Sequence, residues 1–122
     1  RIFFPVDSGA TWIRIMEVKS NMTCSFMMNM ICYANQDASI IVGYVVNYDN
    51  KVQICNFKQL IGKAGEVYNP NLKYKKDGNT IIVWAKSSAI NNKASCINLL
   101  HGNASFPMII ETPPEDAIQP TW

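Results

Sequence analysis

Two short segments of this chain carry the residues best suited to holding a ligand. Lys73-Tyr74-Lys75-Lys76-Asp77-Gly78-Asn79 sets one aromatic ring among hydroxyl-bonding groups, and Tyr44 to Asn50 repeats the mixture with Tyr48, Asp49 and Asn50. A ring can cover the apolar face of a pyranose while Asn, Asp and Lys groups bond its hydroxyls, so the chemistry is that of a sugar site. The candidate ligand-binding residues are therefore Tyr48, Asp49, Asn50, Tyr74, Lys75, Lys76, Asp77 and Asn79. Turns select the same residue types for their own backbone hydrogen bonding, so a plain solvated turn also satisfies both segments.

Catalysis asks for convergent titratable groups, and the chain offers few. Its one histidine, His101, stands in Leu99-Leu100-His101-Gly102, with no G-x-S-x-G segment to pair with it. The nine carboxylates are spread singly and mostly in turns or in the tail, so no pair is nominated for acid–base work. No Asp-rich loop has the period of a calcium site, and no glycine loop has the order of a phosphate cradle. Cys24, Cys32, Cys55 and Cys96 form no C-x-x-C pair. They lie in apolar runs where burial raises a thiol's pKa, and are expected as reduced core residues. The expectation is a chain that is not an enzyme, with no catalytic residues, no metal and no cofactor.

The elements that must position these residues read as short strands. Turn signals recur at Asp7-Ser8-Gly9, Lys19-Ser20-Asn21, Asn35-Gln36-Asp37, Tyr48-Asp49-Asn50, Asn69-Pro70-Asn71, Asp77-Gly78-Asn79, Ile90-Asn91-Asn92 and Leu100-His101-Gly102. Between them lie β-branched and aromatic runs: Trp12 to Val18, Cys24 to Tyr33, Ile40 to Val46, Val52 to Phe57, Thr80 to Ala85 and Phe106 to Ile110. Strands at such spacing indicate an all-β fold, a sandwich or a barrel, and the antiparallel sandwich is the expectation. Tyr48-Asp49-Asn50 and Asp77-Gly78 mark hairpins, the second being a strong two-residue turn signal. Lys58-Gln59-Leu60-Ile61-Gly62 is the one place where a short helical turn competes. The domain is expected over residues 1–111. Residues 112–122, with Pro113, Pro114 and Pro120, are expected as an extended arm because proline cannot donate to a ladder.

With 122 residues and 48% hydrophobic content, one domain can build a full core without disulfide staples. Charged residues are only 16%, below the usual quarter, and the net charge of +2 gives no basic stripe for nucleic acid. No apolar run reaches the roughly 20 residues that a membrane helix needs. The first residues, Arg1-Ile2-Phe3-Phe4-Pro5, have neither an initiator Met nor a signal layout, and read as a fragment of a longer parent.

Cys24 to Tyr33 is the most apolar strand. One parity, Cys24, Phe26, Met28, Met30 and Cys32, is apolar throughout; the other, Ser25, Met27, Asn29, Ile31 and Tyr33, is still mostly so. A half-solvated antiparallel strand needs only one buried face. The surplus predicts that the second face meets something: a second sheet edge, a loop, or another copy of the chain, and the subunit contact is the reading taken further. Met27, Ile31, Tyr33, Trp84 and Trp122 are the oligomer-interface candidates.

Thr11-Trp12-Ile13-Arg14-Ile15 resembles the W-Y-R-I-A segment that opens many C-terminal domains of bacteriophage tail fibres, tailspikes and appendage proteins. Thr80-Ile81-Ile82-Val83-Trp84-Ala85-Lys86 resembles a later strand of the same domains, with a closing apolar strand like Phe106 to Glu111 after it. The chain departs from that pattern at Ile13 and in its Met- and Cys-rich strand. The resemblance implies a jelly-roll sandwich, often tumour-necrosis-factor-like, that forms a homotrimer on the virion tail, outside the cell. It also implies a role in attachment to a host cell-surface glycan or protein, and brings no shared catalytic residues. The alternatives are a structural trimerisation or folding module of a longer fibre or tailspike, and a secreted lectin-like sandwich.

Overall fold

A computed structural model of the chain describes residues 1–5, 11–32, 37–49, 51–62, 71–86 and 95–121. Nine strands lie among them: β1 (Ile2–Phe3), β2 (Trp12–Lys19), β3 (Met22–Cys32), β4 (Asp37–Tyr48), β5 (Val52–Ile61), β6 (Asn71–Asp77), β7 (Thr80–Lys86), β8 (Cys96–Gly102) and β9 (Ile109–Ile110). All pairings are antiparallel, and they form a five-stranded sheet in the order β1-β8-β3-β4-β5 and a four-stranded sheet in the order β6-β7-β2-β9. The fold is an all-β sandwich. Within the larger sheet, β8-β3-β4-β5 has the spatial order of a Greek key, whose return connection passes through the β6–β7 hairpin of the opposite sheet.

The core lies between the sheets and follows from the pleat. From β3 it takes Cys24, Phe26, Met28 and Met30, and from β4 it takes Ile41 and Val45. The facing sheet contributes Ile13, Ile15, Met16 and Val18 from β2, and Ile81, Val83 and Ala85 from β7. Gly43 of β4 faces the same core, where a Cβ would sit 2.8 Å from both the Phe26 and Phe57 rings. Glycine there lets the two aromatic side chains meet, with ring centroids 6.0 Å apart.

Strict alternation fails in β2, and the failure is useful. Its register shifts between Arg14 and Met16, so Ile15 and Met16 are both buried. A β-bulge adds one residue and turns the following side chains to the other face. Without it, Met16 and Val18 would share a face with Arg14. With it, Arg14 and Glu17 both point outward and pair, Nη1 to Oε1, at 2.7 Å.

Both hairpins read from the sequence are present. β4 turns into β5 with Tyr48 opposite Val52, the Lys51 N–H donating to Tyr48 O at 2.9 Å, and Asp49 at φ 50°. β6 turns into β7 with Asp77 opposite Thr80, so the two loop residues are Gly78 and Asn79 rather than Asp77 and Gly78. Gly78 takes φ 61° at the first loop position, the place a type II′ turn reserves for glycine. Lys58 to Ile61 is strand, not a helical turn: these residues extend β5 to ten residues beside β4. Of the expected closing strand, only Ile109 and Ile110 pair in a ladder, with β2.

The buried side chain of Asn47 ties the open ends of the two sheets together. Its Nδ2 donates to Val18 O at 2.8 Å and to Asn79 O at 2.7 Å, while its Oδ1 accepts from Gln53 Nε2 at 3.1 Å. A buried amide is tolerable when its donors and acceptor are satisfied in this way.

Candidate functional site

The sandwich has two outer faces, and the four-stranded one is covered by the chain's own tail. After β9 the backbone of Glu111 donates to Trp12 O at 3.0 Å, Pro113 is buried, and Ile118 exchanges two backbone hydrogen bonds with Tyr74 at the β6 edge. Residues 111–118 thus run from the β9 side of the sheet to the β6 edge and form a strap. Beneath it, Trp84 is only 2% exposed although it points away from the core. Its Nε1 donates to Glu111 Oε2 at 2.8 Å. Arg14 closes the arrangement: Nε and Nη2 donate to the two Glu111 oxygens at 2.7 and 3.1 Å, and the guanidinium lies 5.9 Å from the Trp84 ring centre. Arg14 and then Trp84 hold the Glu111 carboxyl below its ordinary pKa, while Glu111 and Glu17 raise that of Arg14. Lys75 pairs with Asp116 at 3.2 Å, and Lys73 sits 5.3 Å over the Trp12 ring. A recess of about 260 Å³ with a mixed lining remains between Arg14, Lys75, Ile82, Trp84, Glu111 and Pro114.

No described residue covers the outer face of the five-stranded sheet. Its rows follow from the registers: Met27, Val42 and Lys58; Ser25, Tyr44 and Asn56; Thr23, Val46 and Ile54. Tyr44 is 43% exposed, Ile54 42%, Tyr48 59% and Leu100 59%. Among the strand positions in these rows only Lys58 is charged. A groove of about 320 Å³ opens here between Tyr44 and Leu100, with Ser25, Val42, Asn56 and Lys58 on its walls and Gly43 among its lining. Asn56 Nδ2 donates to the Tyr44 hydroxyl at 3.2 Å, which fixes the ring at the rim.

The ligand candidates divide between these regions and do not converge. Tyr48 and Asp49 are exposed at the β4–β5 turn, where Lys51 lies 3.8 Å from Asp49. Asn50 lies outside the described residues. Tyr74 faces the core beside Phe57, ring centres 5.7 Å apart, and burial pushes its hydroxyl's pKa up. Lys75 is committed to Asp116 on the strap side. Lys76, Asp77 and Asn79 are exposed at the hairpin tip, Asn79 giving its backbone carbonyl to Asn47. Of the interface candidates, Met27 is half-buried in the open face and Trp84 lies under the strap. Ile31 pairs with Ala38 through its backbone, and Tyr33 and Trp122 lie outside the described residues.

Tyr44, Ile54, Leu100, Arg14, Glu111 and Asn47 are site-forming residues that the sequence reading passed over. Tyr44 and Ile54 share a parity with Val42 and Val46 in adjacent strands, which was the signal available for the open face. His101 is exposed, and its strand position is opposite Ser25. Cys24, Cys55 and Cys96 are free; burial pushes the Cys24 and Cys55 thiols up to about 11, so they are inert at neutral pH. Among the described residues no group of three or more His, Cys, Asp or Glu side chains could hold a metal ion, and no helix is long and apolar enough to cross a membrane.

No protein-family model and no curated protein matches this chain. A solved structure does. The chain is similar to part of WceF of Pantoea stewartii, described as a glycan biofilm modifying enzyme with a bacteriophage tailspike-like parallel β-helix fold. The superposition has a TM-score of 0.61 at 10% sequence identity, and covers 98% of this chain and 21% of WceF. At that identity the likeness is one of fold. The chain spans about a fifth of the length of WceF.

Proposed function

We propose that the chain is a non-enzymatic domain of a bacteriophage tail-fibre, tailspike or appendage protein, carried on the virion tail outside the cell. It associates as a homotrimer and contacts a host cell-surface glycan or protein. The observation that carries the reading is an open, almost uncharged sheet face on a fold that recurs within a tailspike-like protein. Exposed apolar patches of this kind mark association surfaces. The exposed ring and carboxylate of the β4–β5 turn, Tyr48 and Asp49, supply the sugar-binding chemistry.

Binding of the chain to host cells and to their extracted surface polysaccharide tests this. Tyr48→Ala with Asp49→Ala should abolish binding while leaving the oligomer intact. A wild-type oligomer that binds neither cells nor polysaccharide would contradict attachment and leave the second reading, a structural trimerisation module. That reading draws support from Tyr74, which is turned into the core and leaves the β6–β7 tip without an exposed ring.

A further inference from the structure

We infer that the outer face of the five-stranded sheet, centred on the groove between Tyr44 and Leu100, is the seat of a second copy of this chain. The inference deepens the homotrimer reading above and rests on it, by naming the surface that the copies share. Four features support a copy of the same chain as the occupant. The face is nearly uncharged, with Lys58 alone among its central rows, so a neighbouring copy can cover it with little charge to desolvate. It offers both halves of the head-to-tail contact that closes a ring of three: Ile54 and Leu100 are exposed, and the groove of about 320 Å³ recedes between Tyr44 and Leu100 to receive such side chains from the next copy. The accessible surface of the groove is mostly apolar, from Val42, Leu100 and the Tyr44 ring, and the Tyr44 hydroxyl is already bonded to Asn56, which suits a packed protein contact.

The fourth feature is the sheet edge that borders this face. Unprotected edges invite pairing, and proteins blunt them by shortness, by charge or by a covering segment. β1 and β9 are two residues long, and β6 carries three lysines and the Ile118 bridge. β5 is ten residues long with Lys58 as its one charge, and among the described residues none pairs with its outer side. Its exposed Val52, Ile54, Leu60 and Ile61 continue the apolar face to that edge. Among the described residues three edges are blunted and one face is covered; the remaining edge and face adjoin.

The test compares the wild-type chain with Leu100→Glu combined with Ile54→Glu, both surface positions. The double variant should keep its β-rich circular dichroism and sediment as the 13.7 kDa monomer, while Gln119→Glu, an exposed position just past the strap, keeps the wild-type mass. Should the double variant lose its fold, Tyr44→Lys serves in its place. Amide exchange gives a separate reading: β5 amides should slow as wild-type concentration rises, and those of β1 should not. A wild-type trimer that persists in both variants, with β5 exchange independent of concentration, overturns the inference and leaves the homotrimer standing. A wild-type monomer overturns both.

Discussion

The two outer faces of the sandwich present similar problems, since each carries apolar strand residues that the core does not use. On the four-stranded sheet these are Ile82 and Trp84; on the five-stranded sheet they are Met27, Val42, Tyr44, Val46 and Ile54. The first face is covered within the chain. Glu111 anchors the strap to Arg14 and Trp84, and Ile118 fastens it to the β6 edge, so Ile82 and Trp84 are 6% and 2% exposed. The second face has no such cover among the described residues. Among the described residues one face is covered and the other is bare, the difference on which the proposed contact between copies rests.

The largest effect should come from the covered face. Trp84→Ala removes a buried ring and orphans one Glu111 contact, and should cost about 3–5 kcal/mol of unfolding free energy in denaturant titration. Tyr44→Ala, the same kind of truncation on the open face, should change the monomer's stability by no more than about 0.5 kcal/mol. Equal costs at the two positions would erase the distinction between the faces.

A smaller effect is expected from Glu111→Gln, which weakens the charged pair at the strap's root. The loss should be about 1–2 kcal/mol, toward the lower figure because the carboxylate is 37% exposed and screened. Its pH dependence follows from the lowered pKa. A carboxyl depressed in the folded state stabilises fully above its unfolded value and loses that contribution as pH falls through the folded one. The wild-type advantage over Glu111→Gln in thermal midpoint should thus hold at neutral pH and close on acidification below the ordinary carboxylate range. An advantage that grew on acidification would contradict the Arg14 pairing. The smallest effect belongs to Lys75→Ala: its bond to the 70% exposed Asp116 should be worth no more than about 0.5 kcal/mol by melting.

Much of the fold could be read from residue order alone. The period-two run from Cys24 to Met30 gave the core face of β3 correctly, and the turn dipeptides placed both hairpins, one of them a residue off. The bulge in β2 was hidden because the adjacent apolar pair Ile15-Met16 reads as ordinary strand composition, and only the register with β7 shows the slip. Lys58 to Ile61 invited a helical reading because a strand at a sheet edge has one neighbour and needs no strong alternation. The candidate site was less legible. Turn composition marks Tyr74 and Tyr48 alike, yet pleat parity sends the first into the core and leaves the second in solvent. Trp84 has the composition of an interface residue, and its cover by residues distant in sequence is a tertiary fact that no local pattern records.

The mass of the wild-type chain in solution, by light scattering over a range of concentrations, tests the central claim most directly. The open face predicts a species three times the 13.7 kDa chain mass that falls toward one chain on dilution. A mass of one chain at every concentration would contradict it, and the bare face of the five-stranded sheet would then belong to a different partner.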